Sequence, residues 1–141
     1  MTEEQLLGLY RKSAGIKRLM EQKRNVLIAN LRETFNPEVR DEFVTYWADG
    51  ADRSIRTYRV AEKTADSRDV SCVPLVEMLN ACVDVVESSV SIPKEACVPA
   101  IGRALGYKRL GGNASAVVGR ALEIAIEDGL VKESNGNLMA E

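Results

Sequence analysis

Apolar residues recur along this chain at helical spacing in some stretches and as short uninterrupted runs in others, and each change marks an element. Leu6, Leu9, Ser13, Ile16, Met20, Val26, Leu27, Leu31 and Phe35 follow a helical pattern behind Thr2, which with Gln5 three residues on makes a capping box. The pattern predicts one long amphipathic helix or two. Gly8 and Gly15 each cost about 1 kcal/mol relative to alanine, so a break is expected near Ser13-Ala14-Gly15. Unbroken, roughly thirty residues at a rise of 1.5 Å would reach about 45 Å, and the stripe would need covering. Folding back onto the next helix or pairing with a second copy would both do so; the expected cover is a homodimer.

Asn36-Pro37-Glu38 reads as the next helix start, with a capping side chain, a proline at the first helical position and a carboxylate at the positive end of the dipole. Val39, Phe43, Tyr46 and Trp47 would then share one helical face. A competing reading takes Phe43 to Trp47, rich in β-branched and aromatic residues, as a strand pairing with Ser54 to Val60 across Ala48-Asp49-Gly50. Ala61 to Val70 is charged and poor in apolar residues, which suggests a linker. The expected organisation is a helical, dimerising region over 1–70 and a second domain over 71–141.

From Val73 the helical pattern resumes with Val76, Leu79, Val83 and Val86, Pro74 being acceptable in a first turn. Ser88 to Ile92 interrupts it and supplies a short strand. Pro93 to Leu105 reads as a second helix, although Pro99 falls in its interior, so the helix either begins near Val98 or bends there. Gly106 closes it, and Tyr107, Lys108 and Arg109 lead through Gly111 and Gly112 into a third helix at about Asn113 to Asp128. Leu130 to Ser134 and Asn137 to Ala140 flank Asn135-Gly136, the dipeptide that tolerates the positive φ angles of a type I′ hairpin. Helix, strand, helix, helix and hairpin follow in the order of a winged helix. The expected fold is therefore mainly α, an N-terminal helical region followed by a C-terminal winged helix-turn-helix with a small β-hairpin wing.

Composition narrows the chemistry. With 141 residues and 45% apolar content the chain can bury a modest core. No apolar run approaches the roughly 18 residues of a membrane span, and Met1 to Gln5 is acidic and polar where a signal peptide would be basic and then apolar, so a cytoplasmic protein is expected. Cys72, Cys82 and Cys97 form no CxxC pair and are odd in number, and they read as small buried hydrophobes. The chain has no histidine, which removes the commonest general base and metal ligand and every Ser-His or Cys-His nucleophile. Glu62 and Lys63 are adjacent, so the E-x-K spacing of carboxylate-lysine nucleases fails, and Gly111-Gly112 is not followed by the GK[ST] of a phosphate loop. The expectation is a non-enzymatic protein with no cofactor, metal site or small-molecule substrate.

What remains is a binding module. The third helix would bury Ala114, Val117, Val118, Ala121 and Ala125, helped by Leu122 and Ile124, and present Ala116, Gly119, Arg120, Glu123 and Glu127 on the opposite face. The small Ala116 and Gly119 would admit the backbone of a DNA groove or of another helix. Lys108 and Arg109 precede this helix, and Asn113 and Ser115 lie at its amino end, where free N–H groups attract phosphate. Arg103 and, on the wing, Lys132 would extend the surface. Lys108, Arg109, Asn113, Ser115, Arg120 and Lys132 are thus the candidate nucleic-acid contacts. Each has a purely structural alternative: solvated turn residues for Lys108 and Arg109, an N-cap for Asn113, and pairing with Glu123 or Glu127 for Arg120. From Ser71 onward six Lys or Arg stand against nine Asp or Glu, a net of −3, which opposes tight nonspecific DNA binding. The first 35 residues carry seven basic and four acidic side chains, net +3, and Arg11, Lys12, Lys17, Arg18 and Arg24 could form a second contact surface.

Ile101-Gly102-Arg103-Ala104-Leu105-Gly106-Tyr107-Lys108-Arg109-Leu110-Gly111, followed by a helix and a hairpin, resembles a small uncharacterised domain found at the C-terminus of certain large bacterial DNA helicase and restriction-associated proteins. Ala104, Gly106, Tyr107, Arg109 and Gly111 match that family's pattern of an alanine-rich helix, a glycine, an aromatic residue, an arginine and a second glycine, over roughly Val86 to Met139. Gly112-Asn113-Ala114 is neutral where the family is often basic, and Leu138-Met139 stands where an aromatic is common. The resemblance implies a recognition module, and without a helicase motor an accessory or regulatory role: binding of double-stranded DNA through the amino end of the recognition helix. The alternative is a protein-interaction or assembly module in which the winged helix and N-terminal helices serve oligomerisation without DNA.

Overall fold

The Thr2 hydroxyl accepts the Gln5 N–H at 3.2 Å while the Gln5 side-chain oxygen accepts the Thr2 N–H at 2.9 Å, closing the capping box that starts α1 (Glu3–Ala14). The computed structural model describes residues 1–15, 20–48, 57–58 and 72–140. The chain divides into two compact units, Met1–Ser54 and Ile55–Glu141.

In the first unit α1 ends at Gly15, whose φ of 69° puts it in the left-handed region that a glycine enters without a side-chain penalty. The stripe of apolar residues is thus carried by two helices, α1 and α2 (Glu21–Phe35), which touch each other. Ion pairs join them: Arg24 binds Glu4, and the Arg32 Nε lies 2.7 Å from Glu3. The helix expected from Asn36-Pro37-Glu38 does not form. Asn36 instead caps the end of α2 with φ 46°, and an antiparallel hairpin follows, β1 (Glu38–Arg40) and β2 (Phe43–Thr45). Its two-residue turn places Asp41 at φ 52°, a conformation aspartate tolerates better than most residues. The β-branched and aromatic run is therefore a strand, but it pairs with the residues before it. The partner expected at Ser54 to Val60 lies outside the described residues except for Thr57 and Tyr58. Thr2 bridges to Thr45, and the Tyr46 N–H donates to the Met1 carbonyl at 2.6 Å, so the start of the chain lengthens this sheet. Leu7, Phe43 and Tyr46 are the buried apolar residues here.

In the second unit α3 (Leu75–Ser89), β3 (Ser91–Pro93), α4 (Lys94–Ala104) and α5 (Gly112–Glu127) are followed by the hairpin β4 (Val131–Ser134) and β5 (Asn137–Ala140). α3 packs on α4, α5 and β5, and α4 packs on α5. Met78, Ala81, Cys82 and Val86 of α3 meet a core that includes Cys97, Ile101, Val118, Ala121, Leu122, Ile124, Ala125 and Leu138, all 2% exposed or less. Ala114 and Val117, expected on the same face, are half-buried. α4 runs through Pro99 without interruption, so it does not begin at Val98. Asn135 and Gly136 both take positive φ, 53° and 78°, as a type I′ turn requires. The second hairpin strand also pairs with β3, Ile92 opposite Leu138, giving the strand order β3-β5-β4. Val90, between α3 and β3, has a φ of 62° and is 80% exposed, a strained position for a β-branched residue.

The three cysteines are free thiols; Cys82 and Cys97 are buried, and Cys72 is half-buried. Burial pushes the Cys97 thiol up to about 11 and the Cys82 thiol higher still. Both act as apolar filling. No helix among the described residues is long and apolar enough to cross a membrane.

Candidate nucleic-acid interface

The loop between α4 and α5 is shaped by two glycines that do different work. At the end of α4 the Gly106 N–H returns to the Arg103 carbonyl at 3.0 Å and the Tyr107 N–H to the Gly102 carbonyl at 2.9 Å, the paired bonds of a Schellman motif. Gly106 supplies the required positive φ, 97°. Gly102 supplies space instead: a Cβ there would lie 2.8 Å from the Leu110 side chain, which folds back over the helix at that point. Together they turn the loop against α4. The result is a cleft of about 280 Å³ lined by Pro99, Gly102, Arg103, Tyr107, Lys108, Arg109, Leu110 and Ser115.

Three cations thus surround one cleft, and no carboxylate lines it. Arg103, Lys108 and Arg109 are exposed and form no ion pair among the described residues. The first turn of α5 lends a fourth positive contribution. Its N-cap is Gly111, the Ser115 N–H is the one that returns to the Gly111 carbonyl, at 2.9 Å, and the N–H groups of Gly112, Asn113 and Ala114 have no carbonyl one turn back to bond. No acidic residue occupies that turn. Phosphate is the chemistry such an arrangement suits.

Sequence reasoning therefore named Lys108, Arg109 and Ser115, and Arg103 as an extension, and these line one cleft. It did not foresee that Tyr107 lines it too. The signal was present in the neighbouring glycines, since a Schellman motif ending at Gly106 fixes the residue after it. Asn113 is not the N-cap, because the helix starts earlier; it is an exposed residue of the first turn. Arg120 takes the local alternative, with its guanidinium 2.9 Å from Glu123 and 3.4 Å from Glu127. It lines a second, shallower groove of about 540 Å³ between α4 and α5, with Val98, Ala116, Gly119 and Leu122 among its walls. Lys132 is exposed on β4 without an ion pair among the described residues, whereas its neighbour Glu133 holds Lys94 at 3.4 Å. Of the cations suggested as a second surface, Arg24 is paired with Glu4, Arg11 and Lys12 are exposed on α1, and Lys17 and Arg18 lie outside the described residues.

Among the described residues no group of three or more acidic or cysteine side chains is placed to hold a metal ion. No protein-family model, no curated protein and no solved structure matches the chain.

Proposed function

We propose that α3 to β5 form a winged helix-turn-helix, with α5 as recognition helix and β4-β5 as wing, and that the protein is a cytoplasmic, non-enzymatic, DNA-associated accessory or regulatory protein. The order helix, strand, helix, helix, hairpin supports the fold assignment, as does the pairing of β3 with the second hairpin strand. The observation that carries the function is the carboxylate-free cleft: in a unit whose acidic residues outnumber its basic ones, three unpaired cations converge on the amino end of α5. Like charges gathered without counter-charges repel one another, and an anionic ligand relieves that repulsion. On this reading Arg103, Lys108 and Arg109 bind phosphates of duplex DNA, Lys132 reaches a flanking phosphate from the wing, and the resemblance of Val86 to Met139 to the helicase-associated domain agrees. The test is a titration of labelled duplex at several salt concentrations. Three phosphate contacts predict a log-log slope of about −2.7, at roughly 0.9 per phosphate, and absence of binding at about 50 mM salt would sink the proposal.

A second reading, assembly without DNA, draws on the first unit. α2 has no buried residue, and Val26 and Phe35 on it are 59% and 64% exposed. A homodimer covering that helix is expected as a doubled mass in light scattering; a monomer at all concentrations would end it.

A further inference from the structure

Phosphates of an intact duplex lie along its outer ridges, and exposed cations reach them without any recess. Here the cations surround a hollow of about 280 Å³, close to the lower end of ligand pockets at roughly 300 Å³, and a base held in a pair cannot turn into it. Tyr107 lines the same hollow. Its place is set by the backbone, since its N–H is tied to Gly102 and the residue before it holds φ at 97°. An aromatic side chain among unpaired cations is the combination by which proteins hold single-stranded nucleic acid: cations neutralise the phosphates while the ring stacks on a base, a contact any base can make.

We infer that the cleft takes an unpaired nucleotide at a single-stranded overhang or frayed end of DNA, its base stacked on Tyr107 and its phosphates on Arg103, Lys108 and Arg109. The inference rests on the DNA-binding reading above and narrows it from duplex in general to duplex with an unpaired end. The physical selection is simple. A base that is already unpaired enters without the unstacking and unpairing that a paired one requires, so the overhang gains the stacking contact at no such cost. Ser115, on the first turn of α5 and lining the same cleft, adds a hydroxyl that can bond a phosphate or a base edge.

The experiment uses the full chain and fluorescence polarisation with two probes of one sequence, a blunt duplex and the same duplex carrying a short single-stranded overhang. The overhang is expected to bind about tenfold tighter, within the range that base-aromatic stacking supplies. Tyr107→Leu is expected to remove that difference and Tyr107→Phe to restore it, because the ring and not the hydroxyl does the stacking. Equal binding of both probes overturns the inference and leaves duplex binding standing. Failure of both probes to bind overturns the inference together with the reading beneath it. A preference for the overhang that survives Tyr107→Leu also overturns it, and should that variant not fold, the comparison of probes on the unaltered chain still decides.

Discussion

The two units bury their apolar residues by opposite means. In the second, three helices and a three-stranded sheet close around a core whose members are almost all inaccessible, and Val90 is its one large apolar residue standing well out among the described positions. In the first, Leu7, Phe43 and Tyr46 form the apolar interior, while Leu9, Met20, Val26, Phe35 and Val39 are each more than half exposed. Polar bonds take up the work there. Glu3, on the first turn of α1, accepts from Arg32 and, at 2.8 Å, from the Tyr46 hydroxyl, so one carboxylate ties two helices to the residue following β2. The lesson is that similar apolar content produces a self-sufficient core in one stretch and a bonded frame with uncovered hydrophobic surface in another.

The contrast can be broken most sharply in the second unit. Ile101→Ala, at a position with no exposed surface, is expected to cost about 2–5 kcal/mol in denaturant unfolding, through lost burial and the cavity left behind. Gly102→Ala is expected to cost about 1–3 kcal/mol, because Leu110 must give way, and to weaken DNA binding as the cleft changes shape. In the first unit the decisive group is polar. Burial resists ionisation of Glu3, but the hydrogen bonds from Arg32 and Tyr46 and the charges of Arg32 and Arg24 outweigh it and hold the carboxyl below its ordinary 4.5. A lowered pKa means the stabilisation is present above 4.5 and is lost as pH falls below it toward the folded-state value. The single tryptophan, Trp47, lies in this unit, so its emission should report acid loosening there, and Glu3→Gln should abolish that pH dependence at a cost of about 1 kcal/mol near neutrality. Val90→Gly is expected to stabilise the second unit by about 1 kcal/mol, since glycine holds a positive φ without steric penalty. Smallest of all, Val26→Ser should change the unfolding free energy of the monomer by less than about 0.5 kcal/mol. A larger loss would mean that α2 is covered after all.

How much of this was legible in the sequence follows the same division. The second unit could be read element by element, because its helices carry enough apolar residues at regular spacing and its hairpin is announced by Asn135-Gly136. The first could not. Asn36-Pro37 has the chemistry of a helix start, and only the left-handed backbone of Asn36 makes it a helix end; composition does not choose between the two. The hairpin that follows turns on Asp41, a residue with no glycine beside it to advertise the turn. At the candidate site the cations Lys108 and Arg109 were legible from their position before α5. Arg120 was misplaced because its carboxylate partners sit one and two turns along its own helix, and a helical wheel shows such residues as one polar face without saying whether they are spent on each other. The cleft itself was illegible, since it depends on Leu110 lying against a missing side chain eight positions earlier.

That pair of positions constrains how this chain can change. Leu110 occupies the volume that a side chain at Gly102 would need, so neither position can be varied alone without disturbing the turn that presents Tyr107, Lys108 and Arg109. A residue with a Cβ at 102 becomes tolerable when 110 shrinks, and Gly102→Ala combined with Leu110→Ala should recover part of what the first substitution loses, a non-additivity that a double-mutant cycle reads directly. In any lineage that keeps this loop, the two sites are expected to drift together, as one inherited character written eight residues apart.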